Sequence, residues 1–389
     1  MLDRALEIRE QVVRLRRDIH QHPELSFQET RTAALVADTL RSLGLRVKTG
    51  VGKTGVVGYL GEGSPVVALR ADMDALPIQE ANDVPYASCT PGVMHACGHD
   101  AHAAILLGVA MLLHDPNLPG QVRFLFQPAE ESADEERKGG AERMIADGAM
   151  EGVDVVMSLH VASDVPTGYV EISVGPDSAA VDTFFATIIG QGCHGAYPHQ
   201  GLDPIFIAAQ VLNAIYGIIP RRIDPFQPAV ISVCRIHAGT AENIIPQQVE
   251  LAGTIRSMDA AVRKQLAEEL AKVFTIPNAL GGRSEFEIIK GVPPVCNDER
   301  VVSLLRQVAT DLLGPDKLRP KTPGMGGEDF ALMTEVAPGA MFHLGVALGG
   351  EIRRGHSDTF DINEDALPIG VAILAEATRR YLIGEFKLG

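Results

Sequence analysis

Apolar residues recur at helical spacing through the opening segment, with Leu6, Val13 and Leu15 on one side and Arg or Glu opposite, which predicts a surface helix. A second helix fits residues 29–43 and stops at Gly44, where a residue without a Cβ suits a helix end. Short β-like runs follow at 45–47, 56–60 and 66–69. The last is almost wholly apolar, as expected of a strand covered on both faces. The pattern then alternates, with a long apolar helix over 101–113, a strand over 122–126, a helix over 141–147 and a strand over 155–159. This is the rhythm of an α/β sheet, in which ligands gather outside the carboxyl ends of the strands.

From about 180 to 292 the order changes to strand 182–189, helix 204–218, strands 229–238 and 249–257, helix 260–274 and strand 284–290. That βαββαβ order is the ferredoxin-like unit. The earlier rhythm resumes with helix 299–313, strand 340–345 and a closing helix over 366–382. The predicted fold is therefore α/β, a doubly wound, mostly parallel-sheet domain of residues 1–178 and 293–389 with an inserted ferredoxin-like α+β domain over 179–292. A length of 389 residues agrees with two domains.

Composition narrows the partners. Fifty Asp and Glu against 34 Lys and Arg give a formal charge of -16 and no local basic patch offsets it, so neither nucleic acid nor an anionic membrane is an expected partner. No apolar run is read as approaching the ~20 residues of a membrane span, and the charged start does not resemble a signal peptide. A cytoplasmic location is the expectation. Cysteines at 89, 97, 193, 234 and 296 are scattered and odd in number, which argues against a disulfide framework and leaves metal ligation or nucleophilic chemistry.

Two phosphate-loop lookalikes fail on inspection. Gly52-Lys53-Thr54 has Val47 where a Walker loop needs Gly, and Gly61-Glu62-Gly63 has Val66 where a dinucleotide fingerprint needs its third Gly. The segment Met94-His95-Ala96-Cys97-Gly98-His99-Asp100-Ala101-His102 is different. It concentrates a thiol, three imidazoles and a carboxylate before an apolar helix, and Cys97 and His99 can reach one centre with Gly98 as pivot. Helix capping plus a buried thiol is the bland alternative, and His95 and His102 read better as supports than as ligands. At the next strand end, Pro128 halts the chain and Glu130 and Glu131 follow, whereas Asp134-Glu135-Glu136 reads as surface charge. His160 follows strand 155–159, Asp72 and Asp74 follow strand 66–69, and His356 comes on a loop after a later strand.

Cys97, His99, Glu131, His160 and His356 make five candidate ligands, more than the three protein ligands of a typical mononuclear catalytic zinc site. Two cations at a typical spacing of ~3.5–4 Å would use them all and acidify a water between them. Glu130, whose neighbour is committed to metal, is the candidate proton carrier.

At these residues the chain resembles the M20 metallopeptidase family, in its amidohydrolase branch of aminoacylases, hippurate hydrolases and indoleacetyl-amino-acid hydrolases. The matching stretches are Asp18-Ile19-His20-Gln21-His22-Pro23-Glu24, Arg70-Ala71-Asp72-Met73-Asp74-Ala75-Leu76-Pro77, Met94 to Asp100, Gln127-Pro128-Ala129-Glu130-Glu131 and the region of His356. The resemblance implies two divalent cations, Cys97 as bridging ligand, Glu130 as general base and acid, Asp74 orienting a ligand, and an inserted domain serving as lid and dimerisation module. In Gly192-Cys193-His194-Gly195-Ala196-Tyr197-Pro198-His199 it implies that His194 steadies an oxyanion, commonly in the neighbouring subunit, although Cys193 stands where the family usually has Gly or Ser. Asn243 and Arg256 fall in segments that hold a substrate carboxylate in related enzymes, a task suited to a guanidinium fork. Gly326-Gly327-Glu328-Asp329-Phe330 matches a signature near the substrate pocket.

The expected function is hydrolysis of N-acyl-L-amino acids by a dimetal amidohydrolase using zinc, manganese, cobalt or nickel, working as a homodimer or higher homo-oligomer. A small-peptide carboxypeptidase and a deacetylase of an amino-acid intermediate stay open within the family. Outside it stand a Cys97 nucleophile with His99 or His160 as base, and a non-catalytic carboxylate-binding protein with a structural metal.

Overall fold

Two apolar cores divide the chain in the computed structural model, which describes residues 1–114, 118–350 and 352–387. One unit comprises Met1–Asp177, Cys296–Thr322 and Asp329–Gly389, and the other Ser178–Val295 with Pro323–Glu328.

The first unit is built on an eight-stranded mixed sheet. Its order is Arg46–Val51, Gly55–Gly61, Gln121–Gln127, Val66–Asp72, Val155–Pro166, Gly339–Ala347, Val170–Glu171 and Leu318–Arg319. The four middle strands are parallel, and an antiparallel hairpin closes the edge at Arg46–Val51. The Gly52-Lys53-Thr54 turn joins that hairpin, with Gly52 and Lys53 both at positive φ, so the phosphate-loop lookalike is a hairpin turn.

Two strands outrun their apolar patterns. Val66–Asp72 is buried at every position, including Arg70 and Asp72, because their side chains pair at 2.6 Å. Val155–Pro166 was expected to end at 159 but continues through His160, since Gly339–Ala347 goes on pairing with it as far as Pro166. His160 is therefore presented by the middle of a strand, and not by the loop after one.

The opening segment also departs from expectation. It forms two helices, Leu2–Glu7 and Arg9–Gln21, and the buried face of the second carries Val12, Val13, Ile19 and Arg16, while Leu6 is exposed. Arg16 enters the core because Asp100 at 2.7 Å, Asp361 at 3.1 Å and Glu364 at 3.3 Å surround its guanidinium. Burial alone would penalise the Asp100 carboxylate, but Arg16 and His20 hold it far below the usual carboxylate range. A carboxyl with a depressed folded-state pKa contributes stability above its unfolded value near ~3.9, and that contribution is lost as pH falls. Arg16→Met should therefore cost about 3–5 kcal/mol at pH 7, with the deficit shrinking below pH ~4. A deficit in urea denaturation that is the same at pH 7 and pH 3 would contradict this assignment.

The second unit carries a four-stranded antiparallel sheet in the order Ala229–Ala238, Gln248–Ser257, Ala180–Ile189, Arg283–Lys290. Helices Pro204–Arg222 and Ala260–Val273, capped by Asp203 and Asp259, supply Ile207, Val211, Ile215, Leu266 and Leu270 to its core. Pro204–Arg222 is long and apolar enough by composition to cross a membrane, which corrects the reading that no run approaches that length. Its charged residues, Arg221 and Arg222, are confined to the last turn, and one face of the helix packs in the core of the unit.

A candidate metal centre on the parallel sheet

Register brings the chemistry together. Asp72 pairs with Gln127, Arg70 with Ser158 and His160 with His343, so these neighbouring strands present polar side chains at one level. Just beyond, Pro128 ends strand Gln121–Gln127, and the chain turns to deliver Glu130 and Glu131.

On the adjoining helix, His99–Leu113, nearly every side chain is buried, and Gly98 precedes it with φ 100°. A Cβ at Gly98 would sit 2.2 Å from Val161 Cγ2. Glycine is required here for both backbone sign and space, and it lets Cys97 and His99 turn toward one centre. Gly98→Ala should cost about 2–5 kcal/mol, strain and overpacking combined. Gly63→Ala, at φ 84° with nothing within 4 Å of the added Cβ, should show the strain alone. Equal losses for the two variants in urea denaturation would refute the steric part of the argument.

The five candidate ligands of the sequence gather as two overlapping groups. Cys97, His99 and His160 form one and Cys97, Glu131 and His356 the other, with the ligand atoms of each group within 4.8 Å of one another. Cys97 is common to both. Its Sγ lies 3.5 Å from His160 Nε2, and Glu131 Oε1 lies 3.1 Å from His356 Nε2. His356 itself adopts φ 62°, and its N–H donates to the Ala96 carbonyl at 2.8 Å, which ties this late loop to the Cys97 segment. Glu130 groups with His99 and Glu131 within the same reach.

Supporting contacts fix the tautomers. His99 Nδ1 meets the Asp74 carbonyl at 2.9 Å and Asp74 Oδ1 at 3.1 Å, so Nδ1 carries a proton and Nε2 is the nitrogen that a metal would take. The other Asp74 oxygen accepts from Ser26 Oγ at 2.7 Å and from the Glu131 N–H at 3.0 Å. Asp74 thus orients both a histidine and a carboxylate. His102 uses both nitrogens, Nδ1 on Asp72 at 2.6 Å and Nε2 accepting from the Val161 N–H at 3.0 Å, so it is a support. His95 is buried with neither ring nitrogen paired among the described residues, and burial pushes its pKa down to about 4.

Whether divalent cations suit this site can be judged from its own atoms. His99 Nε2 is buried without a hydrogen-bond partner among the described residues and faces Asp72 Oδ2 at 3.7 Å and Glu131 Oε1 at 3.9 Å, a gap that a cation would fill. Burial pushes the Cys97 thiol up, and burial with the neighbouring His102 pushes His160 down, which leaves a neutral imidazole ready to ligate. Against burial, Asp72 and Cys97 hold His99 well above its ordinary value, a field that favours positive charge at this centre. A half-buried thiol among imidazoles and carboxylates is the donor set of borderline-soft divalent metals, which deprotonate the thiol on binding.

Sequence reasoning did not single out His343, one rung from His160, whose Nε2 bonds Asp177 Oδ2 at 2.8 Å. Nor did it find Asp329 as a buried hub that accepts from Arg70 at 2.9 Å, Gln127 at 2.8 Å and the Ala141 N–H at 3.1 Å. The only available signal for His343 was its position within an apolar strand.

The remaining candidates belong to the second unit. His194 lies on the short strand Cys193–His194, which pairs with Ile244–Ile245, and its Nδ1 accepts from the Ala196 N–H at 3.0 Å. Asn243 is adjacent, its carbonyl accepting from the Gly195 N–H at 2.8 Å. Arg256 donates to the Met325 carbonyl at 3.0 Å, next to the Gly326-Gly327 segment.

A profile of the peptidase family M20/M25/M40 matches residues 68–380. The thermostable carboxypeptidase 2 of Saccharolobus solfataricus is 43% identical over 94% of this chain and 93% of its own. An N-acyl-L-amino acid amidohydrolase of Geobacillus stearothermophilus is 46% identical over 75% of this chain and 79% of its own. Among solved structures, a Bacillus subtilis protein described as a dinuclear metal binding peptidase from the M20 family superposes with a TM-score of 0.85 at 34% identity, covering 97% of this chain and 99% of that one.

Proposed function

The chain belongs to peptidase family M20/M25/M40 and is a metal-dependent hydrolase, and from that premise we propose that it cleaves the amide bond of N-acyl-L-amino acids, releasing a carboxylic acid and the free amino acid. The observation that carries the reading is the pair of ligand groups sharing Cys97, with the Glu130 carboxylate beside His99 and Glu131. Two divalent cations, zinc, manganese, cobalt or nickel, held by Cys97, His99, Glu131, His160 and His356, would acidify water and polarise the acyl oxygen. Glu130 takes the proton from that water and returns it to the departing nitrogen. Asp74 keeps His99 and Glu131 aimed while this happens. In the same reading the second unit serves as lid and dimerisation module, His194 steadies the oxyanion, and Arg256 with Asn243 holds the amino-acid carboxylate.

The likeness to a carboxypeptidase fits the same chemistry, because the last residue of a peptide is itself an N-acylated amino acid. A panel of acetyl-, benzoyl- and aminoacyl-amino acids, assayed on metal-loaded protein, tests the proposal and ranks these substrates. Absence of turnover on every member at full metal loading would overturn it.

A further inference from the structure

Five non-glycine residues take left-handed backbone among the described residues, and three of them, Phe27, Lys53 and Ala129, lie in turns that converge on one carboxylate. Glu29 is fully buried. Its Oε1 accepts from the Phe27 N–H at 3.0 Å and the Ala129 N–H at 2.8 Å, and its Oε2 accepts from Thr54 Oγ1 at 2.5 Å. Lys53 spends its ammonium elsewhere, 2.6 Å from Asp134 Oδ2 and above the Phe27 ring, and no cation pairs with Glu29 among the described residues. Burial pushes the Glu29 carboxyl above its ordinary value. An acid buried without a cation is costly to keep, so its use must lie in what it holds.

What it holds is the turn that carries the proton shuttle. Ala129, at φ 46°, stands between the strand-ending Pro128 and Glu130. Its carbonyl is fixed from the other side by the Gly140 N–H at 2.9 Å, and the Glu131 N–H is fixed by Asp74 at 3.0 Å. L residues avoid this backbone region unless their surroundings impose it. We propose that Glu29 is a positioning residue of the hydrolytic reaction, whose carboxylate clamps the left-handed Ala129 turn and so keeps Glu130 aimed at the reacting centre. The inference rests on the hydrolase reading for its kinetic readout, while the state of the turn can be measured without turnover.

The test compares Glu29→Gln, Glu29→Leu and Glu29→Leu combined with Ala129→Gly, all metal-loaded and checked for metal content. Glu29→Leu should lower kcat at least tenfold with KM within threefold and bound metal unchanged. Glu29→Gln keeps a carbonyl acceptor and should stay within threefold of the parent. Adding Ala129→Gly, which accepts positive φ freely, should restore kcat at least threefold over Glu29→Leu. Hydrogen exchange over residues 127–132 should rise in Glu29→Leu and not in Glu29→Gln. Parent-like kcat and exchange in a folded Glu29→Leu variant, equal losses for Gln and Leu, or no recovery from Ala129→Gly would each overturn the proposal. Should Glu29→Leu not fold, Glu29→Asp takes its place, since a side chain shorter by one methylene cannot hold all three donors, and parent-like kcat there overturns it. A parent without turnover on any acylated amino acid would count against the proposed function, whereas the exchange result would still decide whether Glu29 holds the turn.

Discussion

Glu130→Gln should lower kcat by about 10²–10⁴-fold while leaving the bound metal and the fold unchanged. The magnitude is that of removing a positioned general acid–base group. The amide keeps the size and most of the hydrogen bonding of the carboxylate, so the turn after Pro128 should persist, with Ala129 still held by Glu29 and Gly140. Only the capacity to accept and return a proton disappears. KM should move little, because the groups expected to bind substrate lie elsewhere in the chain. Elemental analysis beside steady-state kinetics decides the matter, and retained turnover at full metal content would remove Glu130 from the reaction.

Cys97→Ala should reduce bound divalent metal from two ions to at most one and bring turnover to background. Cys97 is the shared member of both ligand groups, whereas His160 belongs to one and His356 to the other. Losing the shared donor should therefore weaken both positions, by more than the 10–100-fold that follows loss of a group merely supporting a ligand. His356→Ala, which strips one group alone, should retain one tightly held ion. The same pair of variants separates metal chemistry from a thiol nucleophile. A nucleophilic Cys97 predicts full metal content in Cys97→Ala, a trappable acyl-thioester in the parent, and activity that survives a chelator. Activity that is lost on chelation and regained with zinc, manganese, cobalt or nickel supports the metal reading.

Much of the sheet was legible along the chain. The run at 66–69 announces a strand covered on both faces because apolar residues, Val66 to Leu69, occupy every position there, and the strand is buried throughout. The sequence pattern failed where burial is achieved by pairing charges. Arg70 and Asp72 extend that strand because they pair with each other and Arg70 also meets the remote Asp329, and Arg16 enters the core from helix Arg9–Gln21 because the remote Asp100 neutralises it. Strand Val155–Pro166 ran past its expected end for a related reason, since hydrogen bonds from Gly339–Ala347 sustain extended backbone where the local sequence turns polar.

Donor types and their spacing are local properties, so Cys97 and His99 could be singled out as a cluster before an apolar helix, and Glu130, Glu131, His160 and His356 by their chemistry and their places after strands. Their convergence depends on strand order and register, which arise from contacts between segments up to some 260 positions apart, such as Cys97 and His356. The orientation of each group is settled more remotely still. Asp74 chooses the nitrogen that His99 offers, Asp72 and Val161 occupy both nitrogens of His102, and Glu29 holds Ala129 in a backbone conformation that no spacing rule foretells. Chain chemistry selected the donors because side-chain type needs no neighbours to be defined. Tertiary packing alone decided which of them face a common centre and in what protonation state, because hydrogen bonds and burial exist only once distant segments meet.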